Sequence, residues 1–294
     1  AAVRGRRTAA IASRRVAVPP HVLEFSSDDA AAVPYLDALY HAAPSTEAPP
    51  TLRYTLRQVG DDSYLATSPA RPPFGPASLG DAWAFVEWRA IEDVLNDPGP
   101  DLVFVHAAGV RIGERLVLLV GPSGSGKSTI TALLLERGYP ALGDDVLRFA
   151  PASGIFSSVP RSLKLDDNAF CLLNLQTQGK ATLSVGTVLA AGSLYVSPVA
   201  LCPAWEAVPG RPWGVVVRVA APHRGAAELE RHSEGVAALR LVQSLLGAEF
   251  GPGAEARRKA SLALLESLTD VTAFHSRGAG PRTLADRIEE VARS

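Results

Sequence analysis

A chain of 294 residues, 47% apolar and 20% charged, holds enough apolar material for one large domain or two smaller ones with a buried core. Its formal net charge of −1 excludes an electrostatic argument for nucleic acid or an anionic membrane as partner, and no apolar run reaches the roughly 18 residues needed to span a bilayer. Cys171 and Cys202 are too few for a disulfide framework and lack metal-ligand spacing, so the expected location is cytoplasmic.

In chain order, residues 4–15 are rich in arginine and alanine and free of acids; without the apolar centre of a secretory signal they read as an N-terminal arm. Methionine is absent even at position 1, so the sequence reads as trimmed, altered or incomplete. Across 16–74 short strands alternate with proline-rich turns; 51–57 alternates as a strand, and Gly60-Asp61-Asp62-Ser63 turns it into a second at 64–67. A helix is predicted over about 81–95, with Phe85, Trp88, Ile91 and Leu95 on one face, and Trp83 and Trp88 read as helix-core residues. The Pro-Gly-rich stretch 96–100 ends it and separates a small β-rich N-terminal unit, 1–100, from a mixed α/β unit, 101–294. In the second unit, 103–106 and 116–120 read as strands joined across 111–115. Further strands are expected at 185–189, 213–219 and 271–274. Helices are expected from a Ser233 cap to Gly247, over about 254–268, and from Pro281 onward.

The most specific segment is Gly121-Pro122-Ser123-Gly124-Ser125-Gly126-Lys127-Ser128, which fits G-x-x-x-x-G-K-[ST] at each fixed position. It follows the apolar run 116–120, suited to a buried parallel strand. The helix pattern after it carries Ile130, Leu133, Leu134 and Arg137 on one face, with Gly138 at the C-terminal cap. Glycines in such a loop let several N–H groups turn inward on an anion, assisted by the positive end of the helix. Lys127 can reach the β- and γ-phosphates of ATP and the Ser128 hydroxyl can ligate Mg²⁺. The nucleotide-binding candidates are therefore Gly121, Pro122, Ser123, Gly124, Ser125, Gly126, Lys127, Ser128 and Thr129. Lysine is otherwise scarce, at Lys164, Lys180 and Lys259 only.

Asp144-Asp145 lies sixteen residues beyond Ser128. In an open α/β sheet this spacing brings paired carboxylates to the C-terminal end of the next strand, beside the loop. Adjacent strand residues face opposite ways, so one acid can hold Mg²⁺, directly or through water, while the other accepts the proton of an attacking hydroxyl. Sequence alone leaves the assignment open; Asp144 is the preferred base, with Ser128 and Asp145 the preferred metal ligands. His106 ends the strand preceding the loop strand, fifteen residues before Gly121. If those strands are neighbours, its imidazole opens onto the γ-phosphate side.

Together these residues resemble the HPr serine kinase/phosphorylase family. The resemblance is nearer to the bacterial HPr-kinase-related kinases that keep its catalytic core, a group that includes lasso-peptide precursor kinases. It is carried by His106-Ala107-Ala108, the hairpin into 116–120, the loop 121–128, Glu136-Arg137-Gly138, Asp144-Asp145 and the segment 160–165, and is strong over about 104–165. It implies an α/β P-loop domain of the HPr kinase/phosphoenolpyruvate carboxykinase type. It also implies phosphoryl transfer from a nucleotide to a serine hydroxyl, with Lys127, Ser128, the aspartate pair and His106 in the site. The E-x-R-G-x-G segment that follows the acids in true HPr kinase/phosphorylases is absent, and 157–165 stands in its place. The resemblance thus does not extend to HPr as acceptor or to phosphorolytic reversal.

The expectation is a Mg²⁺-dependent, ATP-using kinase acting on a serine of a protein or peptide, with no nucleic-acid or membrane partner; family inference admits a homo-oligomer. The alternatives are a nucleotide-sensing binding module without transferase activity and a small-molecule hydroxyl kinase. Arg161, Lys164 and Arg218 could neutralise phosphate charge but read first as solvated surface cations. His223, His232 and His275 read as structural or exposed.

Overall fold

The computed structural model describes residues 12–97, 99, 102–173, 187–203, 205–218, 227–246, 252–268, 271–278 and 280–294. Most of the arm, His223, Gly247 and the start of the strand expected at 185–189 lie outside them. Alternation of apolar and polar residues builds the first sheet from Ala12–Val18 (β1), His21–Ser27 (β2), Leu52–Gly60 (β3), Ser63–Thr67 (β4) and Phe74–Ala77 (β5), in that order. In β2 every second residue, from His21 through Leu23 and Phe25 to Ser27, turns inward. The β2–β3 pair is parallel and the others antiparallel; a short helix, Val33–Ala38 (α1), lies in the connection between β2 and β3.

The helix Leu79–Asn96 (α2) is capped by Ser78, whose hydroxyl accepts from the Asp81 N–H at 3.2 Å. Its buried face is Leu79, Ala82, Trp83, Val86, Glu87, Ala90, Ile91 and Val94, which corrects the expected Phe85–Trp88–Leu95 stripe. Both stripes fit the helical period, but Ala82, Trp83, Val86, Ala90 and Val94 are enclosed in the core with Tyr54, Leu56 and Tyr64 of the sheet, while Phe85 and Leu95 are only partly buried against it. Trp83 is fully buried and its indole N–H donates to the Tyr35 carbonyl at 2.6 Å. Trp88 is half-exposed with the Arg89 guanidinium over its ring at 4.1 Å, so it is not a core residue.

The chain continues through Val103–Val105 (β6), Ala108–Ile112 (β7), Arg115–Val120 (β8), the helix Lys127–Glu136 (α3), Ala141–Gly143 (β9), Leu147–Ala150 (β10), Ile155–Ser158 (β11) and Leu163–Leu165 (β12). Then come Asp167–Leu172 (α4), Thr187–Ala190 (β13), Ser193–Val196 (β14), Pro198–Leu201 (α5), Pro212–Arg218 (β15) and Ala227–His232 (β16). The last elements are Glu234–Gln243 (α6), Leu245–Leu246 (β17), Pro252–Ser267 (α7), Thr272–Gly278 (β18) and Pro281–Arg293 (α8). The architecture is mixed α/β, with a six-stranded sheet in the order β16-β18-β15-β8-β7-β9. Here β8, β15 and β18 run parallel, and the hairpin partner β7 separates β8 from β9.

Alternation along β8 divides the core. Val117 and Leu119 join a cluster with α3 and α8 on one face, while Leu116, Leu118 and Val120 join α6 and α7 on the other. A strand covered on both faces reads as an unbroken apolar run, as β8 does. A third cluster crosses residue 100, with Trp83, Val86 and Ile91 packing among Phe104, Val146, Val159, Val188 and Tyr195. Among the described residues no helix is long and apolar enough to cross a membrane.

Candidate functional site

The glycine-rich loop leaves β8 at Val120 and enters α3 at Lys127. Gly124 and Gly126 take φ of 75° and 86°, a region that side chains with a Cβ avoid. Gly126 occupies the position before the first helical residue, and the amides of Lys127, Ser128 and Thr129 follow it without intrahelical acceptors. Gly124 is exposed, and a Cβ added there would meet nothing within 4 Å. The Ser125 hydroxyl is buried there without a hydrogen-bond partner. Lys127 is itself buried, and its Nζ donates to the loop's own carbonyls, Gly121 O at 2.8 Å and Pro122 O at 3.2 Å. Burial lowers its pKa, against the opposing pull of Asp145 and Asp144.

The two acids follow β9 directly. Because β7 is antiparallel to both β8 and β9, β9 runs in the direction of β8 and delivers the acids at the loop's end of the sheet. They occupy different surroundings. Asp144 is buried; it accepts from the Ser128 hydroxyl and lies 3.4 Å from the Lys164 N–H. Burial, reinforced by the charge of Asp145, pushes its carboxyl up to about 6, against Ser128, Arg161 and the Lys164 amide. Asp145 is half-exposed, with Oδ1 3.0 Å from His106 Nε2 and Oδ2 accepting from Arg161 Nη1 at 3.2 Å. Its partial burial works against ionisation, but His106 and Arg161 outweigh it and hold Asp145 below the usual carboxylate range.

His106 reaches this position by a route different from the expected one. Its strand, β6, belongs to a separate sheet, β11-β10-β6-β17, and the strand preceding β8 is β7. Just beyond β6 the His106 backbone N–H donates to Ser244 O at 2.7 Å, and the imidazole Nε2 lies 3.0 Å from Asp145 Oδ1.

These groups line one cleft of about 390 Å³, a size suited to a small ligand. Its lining takes in the loop, Asp144 and Asp145, His106, and Arg161, Lys164, Asp166 and Ser193. All four expected catalytic residues, Asp144, Asp145, His106 and Lys127, therefore border the same space, as do Ser123 to Thr129 of the loop. Gly121 and Pro122 instead supply the carbonyls that hold Lys127. Arg161 is not a surface cation: its side chain is 14% exposed and is gripped by two carboxylates. Lys164 is solvated, with Nζ 5.8 Å from the Tyr195 ring centre. Away from the cleft, His232 packs on His275 at 4.5 Å between ring centres and lies 3.6 Å from Glu230. The Arg218 side chain lies outside what is described.

Sequence reasoning missed Asp166, Ser193 and Glu87. Nothing local marks the first two, and Glu87 carries only one signal, an acid on the buried face of α2. The start of α3 could take a phosphate chain through the amides of residues 127–129, which have no intrahelical acceptors, and the unpartnered Ser125 hydroxyl. Among the described residues no three His, Cys, Asp or Glu side chains form a metal-binding group. Ser128 beside Asp144 nonetheless suits Mg²⁺, which takes one or two carboxylates and completes its shell with phosphate oxygens and water.

Asp144 gives a signed stability prediction. The folded chain keeps this proton to about pH 6, whereas an unfolded aspartate releases it near ~3.9. Stability therefore falls as pH rises through that window, by ~3 kcal/mol for a shift of about two units. Asp145 acts oppositely, its contribution being present above the ordinary carboxylate range and lost on acidification. Asp144→Asn is expected to raise Tm at pH 8 and to match the unaltered chain near pH 4. Thermal unfolding at both values checks this; a variant less stable at pH 8 contradicts it.

No protein-family model matches the chain, and no curated protein matches it.

Proposed function

We propose that the chain is a Mg²⁺-dependent kinase of the HPr kinase-like type, built on a P-loop domain, that moves the γ-phosphoryl group of ATP to a serine hydroxyl of a protein or peptide. The observation that carries this is the meeting, in one cleft, of the glycine-rich loop with two aspartates in different surroundings, Asp144 buried beside Ser128 and Asp145 half-exposed between His106 and Arg161. The loop amides and the start of α3 bind the β- and γ-phosphates. Lys127 exchanges its two carbonyl acceptors for phosphate oxygens and offsets charge as the transfer proceeds. Ser128 and Asp144 would hold Mg²⁺, which when bound would offset charge on the phosphate oxygens.

Asp145 receives the proton of the acceptor hydroxyl, whose oxygen attacks phosphorus while the bond to the β-phosphate oxygen breaks and ADP leaves with the electron pair. His106 and Arg161 fix the Asp145 carboxylate from two sides. This reverses the division of labour preferred from sequence, because the Ser128 hydroxyl engages Asp144 rather than Asp145. A depressed pKa is compatible with the role, since in a loose transition state the hydroxyl proton is transferred late.

The test is incubation with Mg-[γ-³²P]ATP and the peptides and proteins encoded by neighbouring reading frames, followed by mass spectrometry of the modified residue. Label on a serine is the expected result. Nucleotide binding with no transfer to any acceptor would identify the binding module instead, and label on a small-molecule alcohol would reassign the acceptor class.

A further inference from the structure

Position 87 on α2 falls among Trp83, Val86, Ala90 and Ile91, where the helical period calls for an apolar side chain. It carries a glutamate, and the side chain is only 10% exposed. A carboxylate removed from water in this way needs a partner, and its partner comes from far along the chain. Glu87 Oε1 accepts from Arg161 Nε at 2.9 Å and from Nη2 at 2.5 Å. The third engaged nitrogen of the same guanidinium, Nη1, donates to Asp145 Oδ2 at 3.2 Å. A planar guanidinium with fixed donors cannot turn while both carboxylates hold it, so the orientation at one end dictates that at the other. Two further ties anchor the adjoining wall to the N-terminal part of the chain: the Ser162 hydroxyl donates to Ala38 O at 2.8 Å, and His41 Nδ1 lies 2.8 Å from Ser197 Oγ.

We infer that Glu87 is a positioning residue: through Arg161 it sets the orientation of Asp145, so that the helix of the N-terminal sheet is a working part of the transfer site and not only its support. The inference rests on the kinase reading for its catalytic consequence, but the Glu87–Arg161–Asp145 linkage is a statement about geometry that can be judged separately.

The test compares Glu87→Ala, Glu87→Gln and the unaltered protein. In Glu87→Gln the side-chain oxygen still accepts from Nε and Nη2. Glu87→Ala is expected to lower kcat for transfer roughly tenfold or more while the KM for Mg-ATP moves less than about threefold, and Glu87→Gln is expected to recover most of the loss. A pair that merely fastened the helix would lower thermal stability and leave kcat per folded molecule intact, which overturns the proposal. So does a glutamine variant no better than alanine. Should Glu87→Ala not fold, Glu87→Asp carries the same test: its shorter reach draws Arg161 away from Asp145, so a fall in kcat supports the inference and an unchanged kcat overturns it. The Arg161 Nε–H resonance in ¹⁵N NMR serves as a readout independent of turnover, sharp and protected in the unaltered and glutamine proteins and lost in the alanine variant. If the unaltered protein binds Mg-ATP and transfers nothing, the kinase reading fails. The resonance then decides alone, its persistence in Glu87→Ala sinking the linkage and its loss upholding it.

Discussion

Lys127→Met is expected to cut kcat/KM for phosphoryl transfer by roughly a thousandfold and to weaken Mg-ATP binding, with the fold intact. The lysine side chain is enclosed, and its ammonium rests on Gly121 O and Pro122 O of its own loop. Methionine has a similar length and volume, so the start of α3 keeps its packing; swapping a buried charge for an apolar side chain of like shape is often neutral for stability. What disappears is the buried loop cation proposed to offset charge on the transferring group. Lys164, which also lines the cleft, is solvated. Isothermal titration with Mg-ATP and initial-rate measurements check the two halves separately. A variant that keeps more than about a tenth of the wild-type kcat/KM removes the loop from the chemistry.

Asp145→Asn is expected to lower kcat by a factor on the order of 10² to 10⁴, with Mg-ATP affinity within a few-fold of the original. Asparagine keeps the shape and can still accept from Arg161 Nη1, but it cannot take up a proton. Asp144→Asn is expected to behave differently, because this acid accepts from Ser128, its partner in the proposed Mg²⁺ site. Its loss raises the Mg²⁺ concentration needed for half-maximal rate, an effect that excess Mg²⁺ partly restores, whereas no Mg²⁺ concentration rescues Asp145→Asn. Rates measured across a Mg²⁺ series in both variants test the division of roles. If the rescue pattern is the opposite, Asp144 is the base and the roles revert to those preferred from sequence.

Some features were legible early because they are local. The strand–loop–helix unit 116–136 declares itself through an apolar run, glycines where positive φ is needed, and a helix pattern, all within a few residues of one another. The Gly60–Ser63 turn and the Pro281 start of α8 were readable for the same reason. His106 illustrates the opposite case. Its presence beside the acids was expected, yet the expected route, a strand neighbouring β8, was wrong, since three residues form β6 and join another sheet. The face of α2 was misjudged because two stripes share the same periodicity, and only tertiary packing, which encloses Trp83, Val86 and Val94 and leaves Trp88 half-exposed, selects between them.

The sequence by itself determined the glycine-rich strand–loop–helix unit, the pair of acids at a fixed chain distance from it, and the mixed α/β character, because backbone conformation and spacing are encoded over short stretches. Only the tertiary structure decided which acid is buried beside Ser128, which one faces His106, and that Arg161 is shared between Asp145 and Glu87. Those outcomes depend on the removal of water and on contacts between residues as much as 74 apart, and neither burial nor long-range pairing leaves a periodic trace in the chain.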